Sequence, residues 1–385
     1  MANPPYLSIG MEDYVFLTKF INTYLQVDSI MTDFHAIRLA SQLLSQSMVQ
    51  SPADIVAHFG AIQAQHYEMA KWAIGMRLAP SAGASLDIVQ QAIDQGQILR
   101  THIMRPTWHF VTAEDIRWMT QLSRASIQRV IRDKKRLEAL GLTEDLFKRA
   151  IRLFEKHLAG NRGLTKEELD TLFESEGIRL VTGTMYRLLM FAETEGIICS
   201  GADRVGKPTY ALLDECVPST AEISEDEAIT RLARAYFRSH SPAQLTDFIW
   251  WSGLTTRQAR QAIDNLEGEL IREVYDGQTY YIYSSCLDRV IEPMRDRIHL
   301  LPAFDEYIIA YKDRDLIIPA QHQKACYTNG TFYPTILQHG RVVGLWSRKK
   351  NKSGVTVEAE YFEAEGAREL NLSAPTKLYQ IFYSR

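Results

Sequence analysis

Two glutamines, Gln63 and Gln65, stand one alanine apart in residues 60–66, which read Gly-Ala-Ile-Gln-Ala-Gln-His. Each side-chain amide offers a carbonyl acceptor and an NH₂ donor, so the pair could orient a water molecule without carrying charge. The stretch forms a tight connection between two short predicted helices. Glutamines in such a connection also commonly satisfy backbone groups of the turn, and the pair alone leaves both interpretations open.

A second group of polar side chains follows in the β-rich run that ends the same region: Arg100, Arg105, Thr107 and His109. Arginine and threonine can bind phosphate oxygens, and histidine can contact phosphate or sugar. The alternative is an ordinary strand in which the threonine and histidine hydrogen-bond neighbouring backbone. Trp108 alternates with them and is predicted to lie in the core.

Asp305 and Glu306 are adjacent carboxylates, a pattern that could suggest a hydrolase. We predict instead that they cap or brace the entrance of the C-terminal region. His66 follows the glutamines directly and could help to position a ligand. We predict that it is a surface histidine at the start of a helix.

Basic residues are segregated along the chain although its net charge is −4 and its pI about 6.2. This net charge argues against a general polyanion binder, whereas the segregation is compatible with one basic face for a nucleic acid. Solvated surface charge is the alternative for each residue alone. The candidate DNA contacts of this kind are Arg187, Arg204, Lys207, Arg257, Arg260, Arg341 and Arg348, the last two from a basic stretch that continues to Lys352.

Several functional classes lack support in the sequence. The four cysteines are widely spaced, with no zinc-site pattern, which fits a reducing cytoplasm. The sequence contains no phosphate-binding loop and no dinucleotide fingerprint, so we predict neither a metal nor a nucleotide cofactor. No apolar run approaches the ~20 residues that span a membrane, and residues 1–30 do not resemble a secretory signal.

The predicted architecture is α+β, with three tandem winged-helix (helix-turn-helix) modules and a small C-terminal β-barrel. Capped helices followed by a strand pair recur three times, and short alternating strands, among them residues 317–319, follow after residue 293. Ser51 and Gly60 are predicted to begin and end a helix, Thr165 and Glu168 to form a capping box, and a helix to begin at Ala243. A loop at residues 201–208 and a turn at Asp276-Gly277 are predicted to join the strands of the second and third pairs. The predicted divisions are an N-terminal extension (1–30), a first module with the glutamines (31–112), a bracing helix (113–141), second and third modules (142–217 and 222–290) and the barrel (291–385).

The chain resembles the winged-helix DNA glycosylases of the AlkZ and YcaQ type, which remove alkylated bases and unhook crosslinks. The matching stretches are residues 61–65, 99–111, 300–307 and 340–346. The resemblance implies three winged helices around a β-barrel with a concave surface for DNA. It also implies that Gln63 and Gln65 are the catalytic pair. The Gln-x-Gln form is similar to the AlkZ-like branch rather than the branch with aspartate at the second position.

Neutral amides suit only some glycosidic bonds. Ordinary glycoside hydrolysis needs an acid to protonate the leaving group, whereas a purine alkylated at N7 or N3 is already cationic and leaves as a neutral base. We therefore predict a monofunctional glycosylase selective for cationic lesions, acting on double-stranded DNA near the nucleoid. The alternative is a winged-helix regulator or DNA-binding protein without chemistry.

Overall fold

The computed structural model describes residues 34–289, 297–351, 354–362 and 370–384. The predicted extension 1–30 and Lys352 lie outside the described residues. In the described chain, three successive helical units each end in antiparallel strands, and a further sheet follows them. The structure is thus mixed α and β. None of the described helices is long and apolar enough to cross a membrane.

In its described residues, the first unit combines four α-helices with a three-stranded antiparallel sheet, whose first strand lies between the second and third helices. Its elements are α1 (Phe34–Ser41), α2 (Pro52–Phe59), β1 (Ile62–Gln63), α3 (Tyr67–Gly75), α4 (Leu86–Asp94), β2 (Ile98–Ile103) and β3 (Thr107–Thr112). Ser51 caps α2 by accepting a hydrogen bond from Asp54 N, and Gly60 ends it with φ of 75°, as the sequence predicts. Helix α4, which Ser85 caps, is not among the predicted elements.

The segment that carries the glutamines contains a short strand rather than only a turn between helices. β1 pairs antiparallel with β3, with Gln63 opposite His109. The ladder continues for one further bond, since Ala64 N donates to Trp108 O at 2.7 Å. Because β1 is an outer strand of the order β1-β3-β2, Gln63 lies at a sheet edge.

The bracing helix predicted for residues 113–141 is broken in two. α5 (Ile116–Ile131) ends before Asp133, and α6 (Lys134–Ala139) begins after it. The Asp133 carboxylate accepts a hydrogen bond from Arg136 N at 3.1 Å. Aspartate is a preferred N-cap residue, so its side chain starts a new helix where the pattern of apolar residues alone predicts a continuous one.

The second unit contains the two predicted helices and the predicted strand pair, and it adds further elements. Its elements are α7 (Glu144–Leu158), β4 (Leu164–Thr165), α8 (Lys166–Ser175), α9 (Thr184–Thr194), β5 (Ile198–Arg204), β6 (Lys207–Leu212) and α10 (Leu213–Cys216). Of these, α7, β4 and α10 are not among the predicted elements. The predicted capping box of Thr165 and Glu168 is present at the start of α8.

The loop predicted for residues 201–208 is largely strand, and it packs against the first unit. The Tyr67 hydroxyl donates to Asp203 at 2.7 Å, and Lys71 Nζ lies 3.4 Å from the same carboxylate. Asp203 N in turn donates to the Asp94 carboxylate at 2.9 Å. The hairpin of the second unit therefore supports the helix that begins just after Gln65.

The third unit consists of α11 (Glu225–His240), α12 (Leu245–Ser252), α13 (Thr256–Asp264), β7 (Leu270–Tyr275) and β8 (Gln278–Tyr283). Its hairpin turns at Asp276 and Gly277, both with positive φ, as the Asp-Gly pair predicts. Helix α12 begins two residues after the predicted Ala243, because the backbone of Ala243 exchanges two hydrogen bonds with Tyr281.

The C-terminal region contains β9 (Ile298–Leu301), α14 (Glu306–Ile309), α15 (Gln323–Cys326), β10 (Tyr327–Thr328), β11 (Thr331–Phe332), β12 (Thr335–Gln338), β13 (Arg341–Asn351), β14 (Gly354–Tyr361) and α16 (Ser373–Tyr383). The predicted β-barrel is wrong for the described residues. The main sheet has the order β14-β13-β12-β9, and its outer strands do not pair with each other. The predicted strand at residues 317–319 is not a strand.

A helix covers one face of this sheet. Trp346 on β13 packs edge-on against Tyr379 on α16, with ring centroids 4.9 Å apart. Tyr379 also packs against Trp72 of α3, at 5.1 Å. The apolar face of the sheet is therefore buried by helices from both ends of the described chain.

Buried polar contacts fasten the C-terminal region to the first unit. The Trp72 indole donates to Leu300 O at 2.8 Å. The Arg77 guanidinium donates to both carboxylate oxygens of Asp305, each at 2.8 Å, in a fully buried pair. Asp305 thus braces the structure, as predicted, although at an open sheet. The same contact brings Glu306 beside the glutamine segment.

Candidate active site

Gln63 is held from two directions. Its backbone N–H donates to Glu306 Oε1 at 2.6 Å, and its side-chain Oε1 lies 3.5 Å from Nη2 of Arg105. The residue is 7% exposed. The backbone of Gln63 is therefore anchored at the edge of the sheet with its amide oxygen toward Arg105, and a group that aims a water molecule requires such positioning.

Gln65 is exposed to solvent, and the residue between the two glutamines is anchored on both sides. Ala64 N donates to Trp108 O, and Ala64 O accepts from Arg100 Nε at 3.1 Å. The positions of both amides thus depend on residues of β2 and β3 rather than on the connection alone.

His66 caps the helix that follows. Its Nδ1 accepts a hydrogen bond from Met69 N at 3.3 Å, which is the helix-start role that the sequence predicts. Partial burial and the nearby positive charge of Arg348 lower the pKa of His66. Arg348, on β13, therefore lies on the same side of the molecule as the exposed Gln65 corner.

Glu306 is a buried carboxylate that serves as an acceptor beneath Gln63. Besides the Gln63 backbone, it accepts from the Trp251 indole N–H at 2.9 Å, and His240 Nε2 lies 3.5 Å away. Burial alone would raise the pKa of Glu306, but His240, His109 and the Gln63 N–H outweigh it and hold the pKa below its usual value. Glu306 is thus ionised, and each of its two oxygens already accepts a hydrogen bond from a buried N–H group.

Arg105 links Gln63 to an aromatic residue that the sequence analysis misses. Its guanidinium carbon lies 5.1 Å from the ring centroid of Trp250, and burial lowers its pKa. Trp250 is 39% exposed, whereas the adjacent Trp251 is fully buried. The pair of tryptophans at the end of α12 is the sequence signal, because adjacent helical residues point in different directions.

Two of the predicted DNA contacts lie inside the protein. Arg100 is buried, with its guanidinium 4.1 Å from the ring centroid of Trp108. His109 is fully buried, and its Nδ1 lies 3.0 Å from Thr107 O. These positions correct the prediction that both contact DNA, since neither side chain is on the surface. The alternative of local backbone hydrogen bonding describes His109 and Thr107, whose Oγ1 donates to Arg105 O.

Trp108 was predicted to lie in the core and is only half-buried. Its ring packs against His102 at 4.4 Å between centroids. Arg100, whose guanidinium packs on this ring and donates to Ala64 O, therefore forms a layer with Trp108 beneath the glutamine segment.

The remaining basic candidates lie at or near the surface, and several already have partners. Arg204 pairs with Glu168, and Lys207 lies 3.6 Å from Glu167. Contacts with uncharged groups are made by Arg187 to the Met190 sulfur, Arg341 to His35 and Arg348 to the Tyr379 hydroxyl. Arg257 and Arg260 are exposed on α13 and form no ion pair with a described residue.

Metal binding finds no support in the described part of the chain, where no group of three or more His, Cys, Asp or Glu side chains could hold an ion. The polar groups brought together at the site are the Gln63 amide, a guanidinium and a buried carboxylate, with the exposed Gln65 two residues along the chain. Such a set can orient water and stabilise charge.

The burial of His109 predicts a pH-dependent stability. Burial lowers its pKa to about 4, so below pH ~6.5 the unfolded chain binds a proton that the folded chain does not. The free energy of unfolding should therefore decrease as the pH is lowered, by about 2 kcal/mol between pH 8 and pH 5 for this group. In urea unfolding at both pH values, H109Q should lose correspondingly less stability than the wild type. An equal loss in both proteins would contradict the assignment.

Comparisons with known proteins show which family the chain resembles. The sequence matches the model of the family described as DNA glycosylase AlkZ-like over residues 56–374. It is 22% identical over 334 residues to a Streptomyces sahachiroi protein named "Interstrand DNA cross-link repair glycosylase", covering 81% of this chain and 86% of that one.

The fold also has a solved counterpart. The structure of the Streptomyces sahachiroi DNA glycosylase AlkZ superposes with a TM-score of 0.71 at 22% identity, covering 91% of this chain and 95% of that one. At this identity the likeness establishes the fold. The family match, which spans most of the chain and includes both glutamines, establishes more: the chain belongs to the AlkZ-like family of DNA glycosylases, hydrolases of N-glycosidic bonds.

Proposed function

We propose that this glycosylase releases purines that carry a positive charge through alkylation at N7 or N3, with Gln63 and Gln65 as its catalytic residues. One observation carries the proposal: the amide of Gln63 is held in place while the carboxylate beneath it, Glu306, is buried among its own donors. A buried, ionised carboxylate that carries no proton, and whose two oxygens both accept hydrogen bonds from the protein, is poorly placed to protonate a leaving group.

The chemistry of a cationic purine fits such a site. Its alkylated base departs as a neutral molecule, so no general acid is needed. The remaining tasks are to stabilise the oxocarbenium-like sugar and to aim water at its anomeric carbon. The carbonyl oxygens of Gln63 and Gln65 can do both, because an amide dipole stabilises positive charge and accepts a hydrogen bond from water.

The substrate in this proposal is double-stranded DNA carrying an alkylated base, bound by winged-helix modules. The helix and hairpin order of the three units supports this, as do exposed cations that can bind phosphate. Arg257 and Arg260 on α13 are the strongest candidates, since both are exposed and unpaired among the described residues. Such a substrate would place the enzyme with the nucleoid in the cytoplasm.

Interstrand crosslinks that join two guanines through N7 fall within the same chemistry. Each linked guanine carries the positive charge that makes it a good leaving group, so unhooking needs no catalytic group beyond the two amides. The name of the Streptomyces relative supports including crosslinks among the substrates.

The test is incubation with a duplex that contains one 7-methylguanine, followed by alkali, which cleaves the strand at abasic sites. We expect scission at the lesion, above a protein-free control for spontaneous depurination, and no scission of a duplex with neutral 8-oxoguanine. A protein that binds the duplex at saturation without raising scission would be a non-catalytic DNA-binding protein, and the proposal would fail.

A further inference from the structure

Trp250 presents part of its ring to solvent at the end of α12. The indole N–H donates to Ile309 O at 2.9 Å, which fixes the orientation of the ring. The residue is nonetheless 39% exposed. A tryptophan that is held rigidly and left partly uncovered is a suitable surface for stacking, since the ring loses little freedom when a second planar group covers it.

The ring is joined to the glutamine segment by one side chain. Arg105 has Nη2 3.5 Å from the Gln63 carbonyl oxygen and its guanidinium carbon 5.1 Å from the Trp250 ring centroid. A group stacked on Trp250 would therefore be separated from Gln63 by the Arg105 guanidinium alone.

The same ring already attracts planar cations. The guanidinium of Arg314 lies 5.5 Å from its centroid, in addition to that of Arg105. The negative face of an indole attracts positive charge, and more strongly so when partly shielded from water. An alkylated purine is a planar cation as well, so this surface should prefer it to a neutral base.

We propose that Trp250 is a specificity-determining residue that stacks on the cationic purine while the sugar of that nucleotide faces Gln63. The inference rests on the proposed function. In this arrangement the purine covers the exposed part of the ring, and Arg105 keeps its contact with the Gln63 amide. Selection of the lesion thereby occurs on the indole face, separately from the hydrolysis carried out at the amides.

The test measures binding with duplexes that the enzyme does not cleave quickly. One contains 7-methylguanine with a 2′-fluoro sugar, which disfavours the oxocarbenium ion. A second contains 7-deaza-7-methylguanine, which has the same shape without the charge, and a third contains a tetrahydrofuran abasic analogue. We expect tryptophan fluorescence of the wild type to be quenched most by the cationic duplex and least by the abasic one.

The variants are W250L and W250F, with Y275L as a matched control. Tyr275 has the same 39% exposure on the same unit but packs against Phe34. W250L should weaken binding of the cationic duplex about tenfold and leave the abasic duplex unchanged, with no base-dependent quenching. W250F, which keeps a ring, should lose less than W250L, and Y275L should match the wild type. Thermal unfolding confirms that each variant is folded.

Two results would overturn the inference: equal quenching of the wild type by cationic and abasic duplexes, or equal weakening of all three duplexes in W250L. The second result would show a general contact or an effect through Arg105. Failure of the proposed function is seen separately, because it would abolish strand scission in the alkali assay and leave base-dependent quenching on uncleaved DNA intact.

Discussion

Replacing Gln63 with alanine is expected to lower the single-turnover rate of 7-methylguanine release about a hundredfold, with little change in DNA affinity. The amide is held by the Gln63 backbone contact to Glu306 and by Arg105, so its dipole is placed before the substrate arrives. Loss of one preorganised group of this kind typically costs about 10²–10³ in rate. Single-turnover reactions with enzyme in excess, stopped at successive times, give the rate of base release, and fluorescence anisotropy gives the affinity for DNA.

Gln65→Ala should lower the rate by a similar factor, because the two amides divide the work of orienting water and stabilising the sugar. Gln121→Ala is the matched control, since Gln121 is an exposed glutamine on α5, and its rate should equal that of the wild type. If either site variant instead lost affinity in proportion to rate, the glutamine would be a binding residue rather than a catalytic one.

Local signals in the sequence predict much of the secondary structure. The two-residue hairpin turn that an Asp-Gly pair favours requires positive φ at both of its central residues, and Asp276 and Gly277 both have it in the structure. The box formed by Thr165 and Glu168 likewise closes within four residues. In each case the residues that determine the conformation are neighbours, so the chain encodes the feature without reference to the rest of the fold.

The surroundings of the glutamines could not be predicted in the same way. The backbone of Gln63 is hydrogen-bonded to Glu306, which lies 243 positions away in the sequence. Arg100 is buried because Ser200 and the hairpin of the second unit pack over its strand. No local pattern distinguishes an arginine that such a contact covers from one that binds phosphate. The open C-terminal sheet is a further case, since a helix distant in sequence from its first strand covers its face.

Glu306 is where these long-range contacts converge, and its replacement is the most disruptive change that we expect for stability. E306L would leave the N–H groups of Gln63 and Trp251 buried without an acceptor, and His240 without its anionic neighbour. Removing one partner from such a buried network typically costs ~3–5 kcal/mol. Urea unfolding at pH 7 should show this loss.

E306Q separates the charge of Glu306 from its shape. The pKa of this carboxyl is lowered in the folded protein, so its ionised form adds stability above the unfolded value of ~4.3, and that stability is lost as pH falls through the folded pKa. E306Q should remove this part of the acid sensitivity and destabilise the protein less than E306L. A wild type and an E306Q variant with identical pH dependence below pH 5 would contradict this assignment.

The same variant tests whether Glu306 acts through Gln63. A glutamine can keep one carbonyl oxygen near the Gln63 N–H, so the strand should remain in place but be held more weakly. We expect a lower rate of base release in E306Q with unchanged affinity for lesion DNA, the pattern of a positioning residue. An E306Q enzyme with the wild-type rate would mean that the contact at 2.6 Å stabilises the fold without orienting the amide that we propose performs the chemistry.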